Sequence, residues 1–224
     1  MTEAPDRVWL ESLTRRVVSP YFSIVHRLRW CGRDRVPEGP ALLAANHQSF
    51  YDPVALGVAV DRIVIYMATT LYYNMPVVGW LMRLYGVVPV EERAGPSSMS
   101  AMLKALEKGY LCGIFPEGRR SPDGALTEPH EGAAALALRA GVPLVPVTIA
   151  GAHEAWPMER PLPRPARISI YFGRPMSPEG KSTPQRRREV TRELMRRVAE
   201  GFDRLDRPDL AETSRQRLEQ EYRT

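Results

Sequence analysis

The sequence contains very little cysteine. Its two cysteines, Cys31 and Cys112, lie far apart, and neither belongs to a Cys-x-x-Cys pair. The four histidines show no metal-ligand spacing with one another either. A disulfide framework and a cysteine-rich zinc site are therefore excluded as the basis of the fold. We expect both thiols to be reduced and buried in the core of a cytoplasmic protein.

The sequence also lacks a clear secretory or membrane-spanning segment. Residues 1–16 alternate charged and apolar side chains, which is unlike a cleavable signal. The stretch Ile63–Met82 carries no formal charge and is about as long as a bilayer core requires. However, Thr69, Asn74 and Pro76 interrupt it, a pattern typical of a strand, a turn and a helix. We expect no transmembrane helix, and any membrane contact is predicted to be peripheral or monotopic.

The composition is that of a globular, basic chain. Its 224 residues are 44% hydrophobic and carry a formal net charge of +5, with a pI near 9.4. A chain of this length can bury one sizeable core, so a single globular domain is expected. The basic excess suits an anionic partner, which is a nucleic acid, a phosphate-bearing substrate or an anionic lipid surface. The alternative is a solubilising charge with no further meaning.

Residues 1–29 form a separate amphipathic segment. Every charged residue between Ser12 and Gly32 is basic. This pattern favours a helical segment that associates with a membrane surface, and a helix packed on the protein's own core is the alternative. The apolar residues that recur at helical spacing are Trp9, Leu13, Val17, Tyr21, Ile24 and Leu28.

Residues 30–205 alternate between strand and helix patterns. This alternation predicts an α/β fold with a central, mostly parallel or mixed sheet flanked by helices. The predicted strands are Ala41–Ala45, Arg62–Ala68, Val87–Val90, Tyr110–Phe115, Leu144–Ile149 and Arg167–Phe172. The predicted helices are Pro53–Val60, Met75–Tyr85, the segment from Met99 to Leu106, Ala133–Ala140 and Arg186–Leu205.

The last residues, 206–224, differ in character from the body of the chain. They are polar, mixed in charge and poor in residues suited to a core. This composition predicts a polar C-terminal tail in the form of a loose helix.

A first group of reactive residues follows the buried strand Ala41–Ala45. It begins at Asn46, and His47 and Asp52 are five positions apart within it. A tight turn at this spacing brings the carboxylate back to the imidazole, where it fixes the tautomer and raises the basicity of the other ring nitrogen. Such a pair can remove a proton from an alcohol. In the alternative interpretation Asp52 is only the N-cap of a helix that starts with Pro53.

A second group, Phe115–Ser121, follows another predicted strand. Its glycine, Gly118, allows the backbone to approach a ligand closely. The guanidinium groups of Arg119 and Arg120 are forked donors suited to a phosphate. A surface turn with solvated charges is the alternative interpretation.

Two weaker blocks complete the pattern, and together the four resemble a known family. Gly86–Arg93 is a strand that ends in charge, and Gly141–Ile149 has no titratable side chain and is typical of a core strand. In this order, the blocks resemble those of the glycerolipid acyltransferases, which include the lysophosphatidate acyltransferases. The resemblance covers roughly residues 30–175 and rests on the Asn-His-x-x-x-x-Asp and Phe-Pro-Glu-Gly-x-Arg-Ser blocks, His47 and Glu117 among them.

The resemblance implies transfer of an acyl group between two substrates. His47, oriented by Asp52, is expected to deprotonate the free hydroxyl of a lysophospholipid, which then attacks an acyl thioester. The donor is acyl-CoA or acyl-carrier protein, with no acyl-enzyme, no cofactor and no metal. The most direct version converts 1-acylglycerol-3-phosphate into phosphatidate.

The resemblance also implies roles for further residues. The glycerol phosphate is expected to lie against Arg93, Glu117, Gly118, Arg119 and Arg120. The apolar composition of Met75–Tyr85 suggests that it lines an acyl-chain slot. The residues expected to line that slot or to support the loops are Asn46, Ser49, Val78, Leu81 and Pro146.

Three departures from the family pattern concern the acceptor. Arg119 replaces the usual threonine, and Arg93 lies one position further from Gly86 than is usual. Thr69 and Thr70 stand where many relatives carry lysine. These departures affect the phosphate cradle, so another lysolipid remains open as acceptor.

Two other classes of function stay open. A lipid esterase or thioesterase would use the same pocket, although the sequence has no Gly-x-Ser-x-Gly nucleophile elbow. A non-enzymatic binder of anionic surfaces is motivated by Arg186–Arg188, but acidic residues interleave and stacking aromatics are absent there. We expect no nucleic-acid partner. We place the protein on the cytoplasmic side of the cell membrane as a peripheral or monotopic protein.

Overall fold

The computed structural model describes residues 16, 18–60, 62–69, 88–90 and 96–222. The strands are β1 (Arg29–Cys31), β2 (Ala41–Ala45), β3 (Val64–Thr69), β4 (Val88–Val90), β5 (Leu111–Ile114), β6 (Leu144–Ala150) and β7 (Ser169–Phe172). The helices are α1 (residues 18–25), α2 (Asp52–Ala59), α3 (Pro96–Glu107), α4 (Gly132–Ala140), α5 (Ala152–Ala155), α6 (Pro184–Arg204) and α7 (Pro208–Glu221), and a 3-10 turn spans Arg33–Arg35.

The strands form one seven-stranded sheet in the order β1-β7-β6-β2-β5-β3-β4. Neighbouring strands are parallel except β6 and β7, which are antiparallel, so β7 and β1 run opposite to the other five. The mixed sheet with its flanking helices confirms the predicted fold class, and most element ends differ from the predicted ones by one or two residues.

Two apolar cores cover the two faces of this sheet. All five residues of β2 are fully buried, and their side chains alternate between the faces. Leu42 and Ala44 pack with α3, α4, α6 and α7, while Leu43 and Ala45 pack with α1, α2 and α5. A strand buried on both faces consists of a continuous apolar run, which is why β2 was recognisable in the sequence.

The structure corrects two expectations about individual segments and leaves a third open. Cys112 is buried, but Cys31 lies exposed on β1, which is an edge strand among the strands that the structure describes. In α1 Phe22 is buried, whereas Tyr21 and Ile24 of the predicted apolar face are exposed, and the association of that face with a membrane stays a prediction. Residues 208–221 are not a loose tail but the packed helix α7, whose buried side chains are Leu210, Ala211, Ser214 and Leu218.

Several predictions lie outside the described residues. They concern residues 1–15, Thr70, the helix Met75–Tyr85 with Val78 and Leu81, and Arg93. Among the helices that the structure describes, none combines the length and the apolar character needed to span a bilayer.

Candidate active site

The two reactive loops leave neighbouring strands at the same edge of the sheet. β2 and β5 are adjacent and parallel, with Ala44 opposite Ile114. The loop that carries His47 follows β2, and the loop that carries Glu117 follows β5. Because the carboxyl ends of parallel strands point the same way, the topology brings together two segments that are distant in sequence.

Asn46 fixes the start of the loop between β2 and α2, residues 46–51, which we call the histidine loop. Its side chain is 1% exposed, its Nδ2 donates to the carbonyl of Ile149 at 2.9 Å, and its Oδ1 accepts from the N–H of Ile149 at 2.7 Å. This pair of bonds ties the end of β2 to β6. Asn46 therefore supports the loop, and its side chain is fully engaged inside the protein.

The imidazole of His47 is held by the carboxylate of Asp52. The His47 Nδ1 and Asp52 Oδ2 atoms are 2.7 Å apart, and the same oxygen accepts the N–H groups of Gln48 at 2.6 Å and Ser49 at 2.7 Å. Asp52 is fully buried, whereas a fifth of the His47 side chain is exposed. An ionised carboxylate only accepts, so Nδ1 carries the proton and Nε2 has the free lone pair. Within the described part of the chain Nε2 has no hydrogen-bond partner.

The interpretation of Asp52 as a helix N-cap is wrong. The N-cap of α2 is Tyr51, and no side chain caps the helix there. The Asp52 carboxylate turns back into the preceding loop, where its oxygen collects three donors. Its geometry is therefore that of a group that orients His47.

The ring of His47 also packs against the second loop. Phe115 stacks on the imidazole with ring centroids 4.2 Å apart and an interplanar angle of 20°. The N–H of Ser121 donates to the carbonyl of His47 at 2.7 Å. The imidazole is thus fixed on one face by an aromatic ring and at its backbone by the neighbouring loop.

The buried side chain of Glu117 links its own loop to the histidine loop. Its Oε1 accepts the N–H of His47 at 2.7 Å, and its Oε2 accepts the N–H and the hydroxyl of Thr127 at 2.7 and 2.8 Å. Glu117 is only 2% exposed, and burial raises its pKa from 4.5 to about 7, against the opposite effect of its three hydrogen bonds. The predicted contact between Glu117 and the acceptor does not fit this burial, because both oxygens are used inside the protein.

The turn after Glu117 presents a glycine and two arginines. Gly118 has a φ of 65°, and a Cβ at this position would lie 2.9 Å from a ring carbon of His130. Arg119 is exposed. The guanidinium carbon of Arg120 lies 3.6 Å from the ring centroid of Phe50, which belongs to the histidine loop. This cation–π contact brings a cation to the loop that carries His47.

Two other predicted residues take structural positions. The Ser49 hydroxyl donates to the carbonyl of Trp156 at 2.8 Å, so it holds the histidine loop to the segment after α5. Pro146 is buried within β6, and its carbonyl accepts the N–H of Gly173 at 2.8 Å. Arg93, Val78 and Leu81 are not among the described residues.

Sequence reasoning missed the residues that support the site from a distance. Thr127 binds Glu117, and the Gln48 side chain donates to the carbonyl of Gly124. Neither has a spacing pattern that indicates its role, since the contacts join residues 10 and 76 positions apart through loops without a regular period. The turn-forming residues Ser121–Gly124 were the only available signal, and they are typical of any surface turn.

The arrangement is suited to general-base chemistry. A neutral imidazole is oriented through Nδ1 by a buried carboxylate and leaves Nε2 to accept a proton from a hydroxyl group. Nearby cations on the glycine turn are suited to a phosphate-bearing alcohol. No described serine or cysteine side chain is hydrogen-bonded to the imidazole, so the site resembles a base that activates a substrate hydroxyl.

Comparison with known proteins gives one consistent result. Residues 27–150 match the family described as Acyltransferase. The chain is 36% identical over 132 residues to the chloroplastic 1-acyl-sn-glycerol-3-phosphate acyltransferase LPAT1 of Arabidopsis thaliana, covering 56% of this chain and 36% of that protein. It is 29% identical over 157 residues to the Pseudomonas aeruginosa 1-acyl-sn-glycerol-3-phosphate acyltransferase, covering 67% and 59%. The chain spans well under half the length of its chloroplast relatives.

A solved structure shares the fold. The crystal structure of the 1-acyl-sn-glycerophosphate acyltransferase PlsC from Thermotoga maritima superposes with a TM-score of 0.75 at 25% identity. The similarity covers 89% of this chain and 81% of that one.

Proposed function

This chain belongs to the acyltransferase family, and on that premise we propose that it transfers a fatty acyl group from an acyl thioester to the free hydroxyl of 1-acylglycerol-3-phosphate, giving phosphatidate. The observation that carries the proposal is the His47–Asp52 pair held against the Phe115–Ser121 loop. The names of the relatives, which are 1-acyl-sn-glycerol-3-phosphate acyltransferases, support lysophosphatidate as acceptor.

The proposed reaction uses His47 as general base and then as general acid. Nε2 takes the proton of the acceptor hydroxyl while its oxygen forms a bond to the thioester carbonyl carbon. The tetrahedral intermediate collapses, the carbon–sulfur bond breaks, and the imidazolium proton goes to the leaving thiolate. The products are the acyl ester and a free thiol, from acyl-CoA or acyl-carrier protein, and Asp52 stabilises the transient imidazolium.

Acceptor-dependent thiol release tests this reaction. Purified protein is assayed with acyl-CoA, with and without lysophosphatidate, and we expect thiol release only with the acceptor. His47→Ala should lower the rate by about 10³-fold or more, as expected when an oriented base is lost. Equal thiol release without acceptor would instead favour the thioesterase alternative, and near-normal turnover of the His47→Ala variant would exclude this residue as the base.

The phosphate of the acceptor is proposed to bind at the glycine turn. Arg119 is exposed there, and Arg120 lies against Phe50 of the histidine loop. Arg120→Gln should raise the KM for lysophosphatidate by about tenfold, the order expected for one charge-assisted contact, and leave the KM for acyl-CoA unchanged. Arg196→Gln on α6 is the matched control. Equal effects on a panel of lysolipids without a phosphomonoester would contradict recognition of the phosphate.

We also propose that the protein works as a peripheral enzyme on an anionic lipid surface, on the cytoplasmic side of the membrane. The large apolar side chains that the described residues expose are Tyr21, Ile24, Trp30, Phe50, Val54, Met158 and Leu162. All of them lie on β1, α1, the histidine loop with α2, and the segment after α5. None lies on α3, α4, α6 or α7, so this surface is confined to one side of the sheet.

The segment 157–167 joins this apolar surface to the active site. It exposes Met158 and Leu162 by 50% and 75%, and Arg160, Arg164 and Arg167 are exposed between and after them. This mixture of apolar and basic side chains suits an anionic bilayer surface. Docking through it would bring the histidine loop to the surface in which a lysolipid is dissolved.

Vesicle flotation tests the lipid surface. Ile24→Asp combined with Leu162→Asp should reduce flotation with anionic phosphatidylglycerol vesicles severalfold, since both side chains are at least three-quarters exposed. Gln216→Asp on α7 also introduces an aspartate, but on the opposite side of the sheet, and should leave vesicle binding intact. Unchanged flotation of the double variant would show that another surface carries the contact.

A further inference from the structure

The last described helix, α7, packs against the segment that supports the histidine loop. Leu126 is fully buried in the same apolar core as Leu210 and Leu218 of α7. Ser214, also fully buried, accepts the backbone N–H of Leu126 on its hydroxyl oxygen at 3.0 Å. A buried polar bond inside an apolar contact fixes the register of the two segments, because a shift would leave the N–H without a partner.

Arg217 holds the outer end of the same segment. Its guanidinium pairs with both carboxylate oxygens of Asp123 and donates to the carbonyl of Leu126 at 3.3 Å. Asp123 in turn accepts the hydroxyl of Ser121 and the N–H of Ala125, each at 3.2 Å. This arrangement shapes residues 121–127, which we call the support loop, from the side that faces α7.

The opposite side of the support loop holds His47. The N–H of Ser121 donates to the His47 carbonyl at 2.7 Å, and Thr127 holds the Glu117 carboxylate that accepts the His47 N–H. Both backbone polar groups of His47 are therefore fixed by the support loop, one directly and one through Glu117. The support loop therefore connects α7 to the backbone of His47.

We propose that Ser214 is a positioning residue of the catalytic site, and that it acts on His47 through the support loop. The inference rests on the proposed acyl transfer. Ser214 bonds to Leu126 and not to His47 or Asp52, and its effect is to hold the support loop in the position in which Thr127 and Ser121 reach their partners. Displacements below 1 Å at an oriented base are enough to lower a rate, so the contact matters for catalysis beyond its share in stability.

Ser214→Ala is the test variant, and Val190→Ala is its control. Removing the hydroxyl leaves the Leu126 N–H without its acceptor while the helix remains. Val190 is a buried residue of α6 in the same core, and its truncation destabilises that core without removing a hydrogen bond of the support loop. Both variants are measured at a temperature at which circular dichroism shows them fully folded.

Two readouts distinguish positioning from general stability. We expect kcat for acyl transfer to fall by about tenfold in Ser214→Ala with little change in either KM, and to stay near the wild-type value in Val190→Ala. Hydrogen exchange of the peptide over residues 46–52 should also be faster in Ser214→Ala than in Val190→Ala.

The exchange measurement separates this inference from the proposed function. If the wild type shows no acceptor-dependent thiol release, the proposed function fails, and the exchange of residues 46–52 still reports whether Ser214 holds the loop. Equal exchange in the two variants would overturn the positioning role whatever the activity. A loss of kcat no larger than that of Val190→Ala would overturn it as well.

Discussion

Replacing the buried Glu117 by glutamine should change how the stability of the protein depends on pH. The two side chains have the same shape, but glutamine does not titrate. Burial raises the pKa of Glu117 from 4.5 to about 7. At 1.36 kcal/mol per pH unit, this shift corresponds to about 3 kcal/mol of folding free energy when the carboxyl is fully ionised.

The sign of this effect follows from the direction of the pKa shift. A carboxyl group whose pKa is raised in the folded state contributes fully to the free energy of unfolding below pH 4.5. That contribution is lost as the pH rises through 7. The wild type therefore loses stability across this window relative to Glu117→Gln. Between pH 5 and pH 8 the free energy of unfolding of the variant should rise by about 2–3 kcal/mol relative to the wild type.

Urea unfolding followed by tryptophan fluorescence at pH 5, 6, 7 and 8 measures this difference. Glu219→Gln, a change at an exposed carboxylate of α7, corrects for the loss of one negative charge. A difference that is flat, or that moves in the opposite direction, would refute the expectation. It would mean that the three hydrogen bonds from His47 and Thr127 outweigh burial and keep Glu117 ionised.

Three further substitutions probe the site and its scaffold. Asp52→Asn should lower kcat by about 10²–10⁴-fold in the thiol-release assay, because a neutral amide cannot stabilise an imidazolium, while the urea midpoint changes far less than the rate. Asn46→Ala removes both bonds to Ile149 and leaves a buried N–H and C=O unpaired, so the free energy of unfolding should fall by about 2–4 kcal/mol in urea titrations. Gly201→Ala would place its Cβ against the Thr148 side chain on β6, and the overpacking should lower the free energy of unfolding by about 1–3 kcal/mol despite the better helix propensity of alanine.

The parts of the fold that were predictable are those in which local pattern and burial agree. The run Ala41–Ala45 is apolar because both its faces are buried, and the contact between His47 and Asp52 joins two residues only five positions apart. Such features need no knowledge of the rest of the molecule.

The features that sequence reasoning missed depend on contacts that only the tertiary structure creates. Thr127 and Ser214 are ordinary polar residues until the fold brings them to Glu117 and Leu126. The burial of Phe22 could not be predicted either, because α1 has apolar side chains on two sides and only the sheet decides which of them lies inside. The burial of Glu117 could not be predicted either, since a charged residue that follows a proline at the end of a strand is typical of an exposed turn.

The place of β2 in the sheet has a consequence for how the protein is made. Its two neighbours, β5 and β6, both follow it by more than 60 residues in the sequence. β1 likewise pairs with β7, the last strand in the described part of the chain. While the ribosome is still translating residues 46–110, the histidine loop has neither neighbouring strand to fold against, so a nascent chain carries His47 and Asp52 without the second loop of the site. Pairing that spans so many residues makes folding slow, and competence for chemistry is expected to arise in one late, concerted step after most of the polypeptide has emerged.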